Sequence, residues 1–269
     1  NALNELLFEK TPLALASSGT IKSVESITLE DVKTFLTKHL VRSRMIVAIG
    51  GDVELKTIQK QLATVVHTLE MGTDSKVKNY KANSDKKEII LKRETEQAYI
   101  YFGAPYEMLD DSSEQYKVKV AAFILGAGGF GSRLMEEIRV KRGLAYSAYG
   151  RIDISKSSSY FTGYLQTKIE SLDEARKTVE EVIREFAKNG VTQEELDQTK
   201  KFLQGSEPLR VETMSQRLNR SFMEFYKNQE PGYSLRELEL IQKLTLQEIN
   251  DFIKQHSEIN DLSFAVVTK

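Results

Sequence analysis

Two segments of the sequence align with each other without a gap. Residues 28–50 read TLEDVKTFLTKHLVRSRMIVAIG, and residues 245–267 read TLQEINDFIKQHSEINDLSFAVV. Each begins with a threonine that can cap a helix, continues with apolar residues at helical spacing and ends in a strand-like apolar run. The identical positions are Thr28 and Thr245, Leu29 and Leu246, Phe35 and Phe252, His39 and His256, and Ala48 and Ala265. The match predicts a duplicated helix–strand unit, and the alternative is that two unrelated units look alike.

The segment between the two copies is polar. Residues 70–86, EMGTDSKVKNYKANSDK, have no hydrophobic period, which is typical of a linker. We therefore expect residues 1–77 to be the C-terminal remainder of a first domain, residues 78–86 the end of the linker, and residues 87–269 a complete second domain. Because the first copy would be much shorter than the second, we also expect the chain to be a fragment or a processed piece.

Four segments of the second copy have the composition of strands. Residues 87–93 and 97–104 predict two neighbouring antiparallel strands, and residues 145–154 and 159–167 predict a hairpin around a short polar turn. The helical patterns lie in other parts of the chain. This order predicts an α+β fold, a mostly antiparallel sheet with helices packed on one face.

Capping residues and helix breakers mark several helix boundaries. A Ser/Thr-x-x-Glu capping box is predicted to begin at Ser171 and another at Thr192. Gly205 and Pro208 predict that the helix after Thr192 kinks or breaks there, because proline inside a helix costs about 3 kcal/mol.

Composition excludes several classes of function. The chain of 269 residues has 38 Lys and Arg against 39 Asp and Glu, a formal net charge of -1, and no basic stripe, which argues against a nucleic-acid partner. It has no cysteine, so disulfides, thiolate metal sites and cysteine nucleophiles are excluded. No apolar run approaches the roughly 20 residues that a membrane span needs, so none is expected.

The glycine-rich stretch GAGGFG, residues 126–131, satisfies the G-x-G-x-x-G pattern of dinucleotide-binding loops. The residues before it, 114–125, suit an amphipathic helix better than a strand, and the strands after it alternate polar and apolar residues, unlike buried parallel strands. A nucleotide-dependent oxidoreductase is therefore only a secondary hypothesis. The loop is interpreted either as a flexible helix-to-helix turn or as part of a substrate site.

The three histidines lie outside zinc-binding motifs. No H-x-x-E-H, H-E-x-x-H or H-x-H pattern includes His39, His67 or His256. His39 and His256 occupy equivalent positions near predicted helix C-termini, where a cation is favourable, which indicates a structural role. We expect no metal ligands in this chain.

The stretch EEIRVKRGLAYSAYG, residues 136–150, predicts a charged helix that ends at Gly143 and leads into a strand. Arg139 and Tyr146 lie on either side of that turn, and we predict that both side chains point to the same place. The alternative is that Arg139 pairs with a neighbouring glutamate, Glu136 or Glu137, while Tyr146 packs in the core.

Residues 126–168 resemble the C-terminal domain of the M16 metallopeptidases, the family of pitrilysin, insulin-degrading enzyme and mitochondrial processing peptidase, and are most similar to its bacterial processing-protease-like branch. The matching positions are Ser132, Arg133, Leu134, Glu137, Arg139 and Gly143 to Ser147. The resemblance extends over nearly the whole chain and implies a duplicated M16-type (LuxS/MPP-like) domain.

The resemblance also implies roles for particular residues. In the family, zinc is bound in the first domain by an inverted H-x-x-E-H motif and a distal glutamate, and an Arg/Tyr pair of the second domain faces it across a closed chamber. That pair matches Arg139 and Tyr146, which would be catalytic donors to a peptide carbonyl and its oxyanion. The loop residues Gly128, Gly129 and Phe130 would bind substrate.

The zinc motif has no counterpart in this sequence. Zinc is therefore expected only in the complete protease, supplied by a missing N-terminal segment or by a partner subunit in a homo- or heterodimer. The expected function is the substrate-binding, Arg/Tyr-bearing part of a zinc endopeptidase that cleaves unfolded peptides, inactive as this chain alone. The alternative is a non-catalytic interaction or scaffold subunit. The compartment, bacterial periplasm or cytoplasm, is left open.

Overall fold

The computed structural model describes residues 1–74 and 76–269, which form two compact units. Unit 1 comprises Asn1–Leu15, Lys78–Gly205 and Leu235–Lys269, and unit 2 comprises Ala16–Val77 and Ser206–Ser234. The predicted domains, residues 1–77 and 87–269, were defined as two copies of one domain. The two compact units do not test whether the chain is duplicated, so these boundaries stay a prediction.

The helices share one numbering across both units. In chain order they are α1 (Ala2–Leu7), α2 (Ile21–Glu25), α3 (Leu29–His39), α4 (Leu55–Val66), α5 (Gln115–Ala122), α6 (Arg133–Met135), α7 (Leu172–Asn189), α8 (Gln193–Gly205), α9 (Met214–Tyr226), α10 (Tyr233–Lys243) and α11 (Leu246–Gln255). In the part of the chain that the structure describes, no helix is both long enough and apolar enough to cross a bilayer.

Unit 1 is built on a five-stranded sheet. Its strands are β1 (Glu88–Lys92), β2 (Gln97–Pro105), β3 (Ala145–Ile154), β4 (Ser159–Lys168) and β5 (Ser263–Thr268). The order across the sheet is β1-β5-β2-β4-β3, with β1 and β5 parallel and the other three pairs antiparallel. The predicted α+β class with a mostly antiparallel sheet is confirmed.

Successive side chains of a strand point to opposite faces of the sheet, so the two faces have different neighbours. Ile100 and Phe102 on β2, with Phe161 and Leu165 on β4, are fully buried in the main core, which also contains the apolar stripe of α7. The opposite face carries α1, and Leu7 of this helix packs closely on Gly103 of β2. A β carbon added to Gly103 would lie 2.9 Å from Leu7 Cδ1. Most helices of unit 1 therefore pack on one face, and the short α1 covers part of the other.

The predicted pairing of the first two strands is wrong. β1 and β2 are not neighbours, because β5 from the end of the chain lies between them and bonds to both. Residue composition indicates that a segment is a strand, but it does not say which distant segment will pair with it.

The predicted hairpin of β3 and β4 is confirmed. Its register shifts between Ala145, which pairs with Thr167, and Ala148, which pairs with Leu165. Tyr146 and Ser147 therefore form a bulge, in which two residues of one strand oppose one of the other. Because β3 is an edge strand, this bulge lies at the border of the sheet.

One of the two predicted caps of unit 1 forms. The Thr192 hydroxyl accepts a hydrogen bond from the Glu195 amide, and the Glu195 carboxylate accepts one from the Thr192 amide, at 3.2 Å and 2.7 Å. The cap at Ser171 is wrong, because this residue ends a 3-10 turn with φ -100° and ψ 4° and its side chain makes no capping bond. The predicted break is confirmed, since α8 ends at Gly205.

Unit 2 contains the first copy of the repeated pattern. The Thr28 capping box begins α3 through reciprocal bonds with Asp31, as Thr245 does with Glu248 at α11. The strand predicted after α3 is not formed, because residues 45–50 have no regular secondary structure. An apolar run becomes a strand only where another strand pairs with its backbone, and residues 45–50 lack such a partner within the described chain.

Candidate functional site

The glycine-rich stretch connects two helical segments of unit 1 that both end in a turn of π-helix. α5 continues as the π-turn Phe123–Ala127, and α6 continues as the π-turn Glu136–Val140. The Gly128 amide donates to the Phe123 carbonyl, and the Lys141 amide donates to the Glu136 carbonyl. Such widened turns are frequent at functional sites. A loop between helices is also the wrong context for a dinucleotide-binding strand–loop–helix, so the oxidoreductase hypothesis fails here.

The glycines of this stretch have different structural roles. Gly126 lies against β3, where a β carbon on it would meet the Gly150 amide nitrogen at 2.6 Å. Gly129 and Gly131 have φ of +65° and +91°, which side-chain-bearing residues rarely adopt, and open space surrounds the position of an added β carbon. Ser132 is buried and its hydroxyl donates to the Gly129 carbonyl at 2.7 Å, which fixes the base of the turn.

This turn places Phe130 beside Arg139 and Tyr146. The guanidinium carbon of Arg139 lies 4.3 Å from the centre of the Tyr146 ring and 4.7 Å from the centre of the Phe130 ring. Arg139 is half-buried, whereas Tyr146 is 82% exposed and Phe130 is 72% exposed. The structure thus brings together Arg139 and Tyr146, which the sequence placed on either side of a turn.

Neither neighbouring glutamate pairs with Arg139. Glu137 accepts a hydrogen bond from Lys141 at 2.6 Å and another from Arg142, and these bonds hold the pKa of Glu137 below its ordinary value. Among the described residues, no carboxylate or carbonyl oxygen accepts a hydrogen bond from the Arg139 side chain. The donors of Arg139 are therefore available to a ligand.

Tyr146 owes its position to the β3 bulge. The residue before the bulge, Ala145, and the residue after it, Ala148, are both buried, while Tyr146 and Ser147 are exposed. Bulges re-aim side chains at the edges of sheets and near active sites. Gly143, with φ +63°, ends the preceding helical segment and allows the chain to turn into this strand.

The predicted loop residues occupy two different environments. Phe130 and Gly129 lie at the tip of the turn, whereas a β carbon on Gly128 would meet the Phe123 carbonyl oxygen at 2.7 Å. Gly128 thus permits a close backbone approach, and its predicted part in substrate binding stays a prediction.

Arg133 anchors the same segment, and nothing in local spacing predicted its partner. Its guanidinium donates to both carboxylate oxygens of Glu195 on α8, at 2.6 Å and 2.8 Å. Burial alone would raise the pKa of Glu195, but the bonds from Arg133 and from the Thr192 amide outweigh it, so the pKa is lowered. A Ser-Arg-Leu signature indicated Arg133, but its partner follows 62 residues later.

The residues do not fit a zinc site. His256 bonds to Glu258 at 2.8 Å and stacks on Tyr106, and the Nδ1 of His39 contacts the Arg44 guanidinium at 3.2 Å. Across residues 1–74 and 76–269, no three His, Cys, Asp or Glu side chains are grouped so as to hold a metal ion.

The family model for "Peptidase M16 inactive domain" matches residues 26–203. The chain belongs to the peptidase M16 family. A relative with 44% identity over 266 residues is the "Non-peptidase homolog YmxG" of Helicobacter pylori, an alignment that covers 99% of this chain and 61% of that protein. An "uncharacterized zinc protease" of Mycobacterium bovis is 25% identical over 91% of this chain and 56% of its own length.

The M16 assignment is also supported by a solved structure. The crystal structure of the peptidase M16 inactive domain from Pseudomonas fluorescens superimposes with a TM-score of 0.88 at 26% sequence identity, covering 99% of this chain and 63% of that one. The chain thus spans about three fifths of the length of the relatives that it matches.

Proposed function

We propose that this chain is the substrate-binding, Arg/Tyr-bearing part of an M16 assembly that acts on unfolded peptides. Zinc in that assembly is held by another M16 domain or subunit, which accounts for the lack of a fitting donor set among the residues described here. The zinc proteases among the relatives support zinc in an assembly of this family, and the non-peptidase homolog supports a chain that does not itself hold the catalytic centre.

The observation that carries the proposal is the free donor edge of Arg139. A guanidinium has five N–H donors in its plane, and Tyr146 adds a phenol hydroxyl beside it. Both groups donate hydrogen bonds. Together they suit a peptide carbonyl oxygen and the negative charge that develops on it when a nucleophile adds to the carbon.

The edge strand β3 suits an extended peptide. Its outer side has no partner strand in the described sheet, and Tyr146 lies in a bulge at the start of it. A peptide that adds a strand to such an edge is bound through its backbone, so little sequence preference is required. This explains how one site can take many unfolded chains.

Unit 2 provides a surface for the paired M16 domain. On α11, Ile249 and Phe252 are 0% and 1% exposed, because the helix packs into the main core of unit 1 beside α7 and α5. The equivalent residues of α3, Val32 and Phe35, are 43% and 62% exposed. The same helix pattern is therefore covered in one copy and uncovered in the other.

The segment after α3 indicates what covers it. In the alignment of the two copies, residues 46–50 correspond to Ser263–Val267 of β5, which pairs in parallel with β1 and antiparallel with β2. We infer that α3 and residues 45–50 are covered by an M16-type sheet, which offers one parallel and one antiparallel strand to residues 45–50. This sheet would be that of the paired M16 domain, in the same polypeptide or in a partner subunit.

The peptide-binding part of the proposal is tested with fluorescein-labelled casein, an unfolded chain, and fluorescence anisotropy. Arg139→Gln is expected to weaken binding about tenfold to a hundredfold, the effect of a hydrogen bond to a charged group, and Tyr146→Phe about fivefold. The matched control is Arg142→Gln, because Arg142 is engaged by Glu137. Equal effects of Arg139→Gln and Arg142→Gln would refute the proposal.

The alternative is a scaffold subunit that assembles but binds no peptide, and the relative named as a non-peptidase homolog favours it. In that case casein binding is absent or insensitive to Arg139→Gln. The intact mass and zinc content of the protein from its native source separate the two forms of the main proposal. One zinc per chain in a longer protein places the metal in the same polypeptide, and a zinc-free protein copurifying with a zinc-bearing M16 chain places it in a partner.

A further inference from the structure

Four cations follow one another on the segment from 133 to 142, and one of them is held differently from the rest. Arg133 is bound by Glu195, and Lys141 and Arg142 are bound by Glu137. Arg139 is held by the rings of Phe130 and Tyr146. A carboxylate would occupy the donor edge of a guanidinium, whereas an aromatic ring lies over its face and leaves that edge free.

The two rings flank Arg139. The ring contacts of the described residues do not include one between Phe130 and Tyr146, so the two rings are not stacked on each other. Each ring centre lies within 4.7 Å of the guanidinium carbon, so the two rings together restrict the space in which the guanidinium can move.

The turn that carries Phe130 holds this side chain exposed at its tip. Gly129 and Gly131 provide left-handed backbone on both sides of the phenylalanine, and the buried Ser132 fastens the turn below. An exposed phenylalanine at a loop tip gains nothing from burial in a core, so its contact with Arg139 is the interaction that the turn produces.

From this arrangement we propose that Phe130 is a positioning residue: it fixes the plane of the Arg139 guanidinium so that its N–H edge meets a peptide oxygen. Phe130 acts through Arg139 and need not touch the peptide. The inference rests on the proposed function for its peptide ligand, but the orientation of Arg139 is measurable without one.

The experiment combines NMR and binding on the full 269-residue chain. The Nε–Hε signal of Arg139 is assigned from its loss in Arg139→Lys, and its order is measured by the heteronuclear NOE in the wild type, Phe130→Ala and Phe130→Tyr. Phe130→Ala is expected to make this signal more mobile and to remove the Phe130 contribution to its ring-current shift while that of Tyr146 stays, and Phe130→Tyr is expected to restore both the order and the shift. Casein binding should weaken roughly two- to fivefold in Phe130→Ala. Phe225→Ala, an exposed phenylalanine of unit 2, is the control for loss of surface apolar area.

A double-mutant cycle tests whether Phe130 affects casein binding through Arg139. In an Arg139→Gln background, Phe130→Ala should change casein binding no further, because the group that it positions is gone. An equal effect in both backgrounds would overturn the proposal and show that Phe130 contacts the peptide itself. An Arg139 signal that stays ordered in Phe130→Ala would overturn it too. If the wild type fails to bind casein while Arg139 order still depends on Phe130, the proposed function falls and the positioning stands.

Discussion

Replacing Gly126 with alanine tests whether the first glycine of GAGGFG serves packing or ligand binding. A β carbon at this position would lie 2.6 Å from the Gly150 nitrogen, 2.9 Å from the Gly150 α carbon and 2.8 Å from Leu134 Cδ1. Two of these atoms belong to the backbone of β3 and cannot rotate away. The helix would have to move off the sheet by several tenths of an ångström or more, next to the buried core.

The cost can be estimated from overpacking. Extra methylenes in a well-packed core typically cost 1–3 kcal/mol, and a backbone contact belongs at the upper end, so we expect Gly126→Ala to lower the free energy of unfolding by about 3 kcal/mol. Gly129→Ala should cost about 1 kcal/mol, because there only the left-handed backbone is strained and the surrounding space is open. Gly205→Ala, with open space and no positive φ, should be neutral within about 0.5 kcal/mol.

All three glycines belong to unit 1, so urea denaturation followed by circular dichroism can compare the same transition in each variant. The chain has no tryptophan, and tyrosine emission provides the second probe. The reasoning would be refuted if Gly126→Ala unfolded at the wild-type midpoint, or if Gly205→Ala were equally damaging.

Two further predictions concern unit 1. Because the pKa of Glu195 is lowered in the folded state, its pair with Arg133 stabilises the fold above the ordinary carboxyl range, and this contribution is lost as the pH falls through the folded pKa. Glu195→Gln should therefore cost about 2 kcal/mol near pH 7 and progressively less as the pH falls below about 4, and a difference that stays constant in urea titrations across this range would contradict it. At the helix caps, Thr245→Ala should cost about 1 kcal/mol and Ser171→Ala under about 0.5 kcal/mol, since only Thr245 makes capping bonds; equal midpoints in thermal unfolding would show otherwise.

The correct sequence predictions concern mostly neighbouring residues. The caps predicted at Thr28 and Thr245 and the capping box predicted at Thr192 join residues three positions apart, and the contact of Arg139 with Tyr146 spans one turn ended by a glycine. At Ser171 the same sequence pattern does not form a cap, because a cap also requires an extended backbone at that residue.

The strand order and the ion pair that the sequence did not indicate involve partners that are distant in the chain. β5 separates β1 from β2 although it follows them by more than a hundred residues, and no local pattern encodes that order. The bond from Arg133 to Glu195 is of the same kind. Phe130 reaches Arg139 only because Gly129 and Gly131 reverse the chain, so the position of its ring depends on backbone angles that the sequence merely permits.

The environment of Arg139 also bears on the choice between a peptide-binding part and a scaffold. An arginine that served only to stabilise the helix end would gain most from a carboxylate, and Glu136 and Glu137 are both within the same helical turn. Instead Glu137 binds Lys141 and Arg142, while two exposed aromatic side chains cover Arg139. Phe130 is exposed at the tip of a glycine turn and Tyr146 is exposed in the β3 bulge, so neither ring contributes much to folding through burial. Their presence beside a free guanidinium edge is better explained by a ligand that approaches it. The scaffold hypothesis accounts for the uncovered face of α3 but gives no reason for this arrangement, and casein binding by Arg139→Gln therefore decides between them.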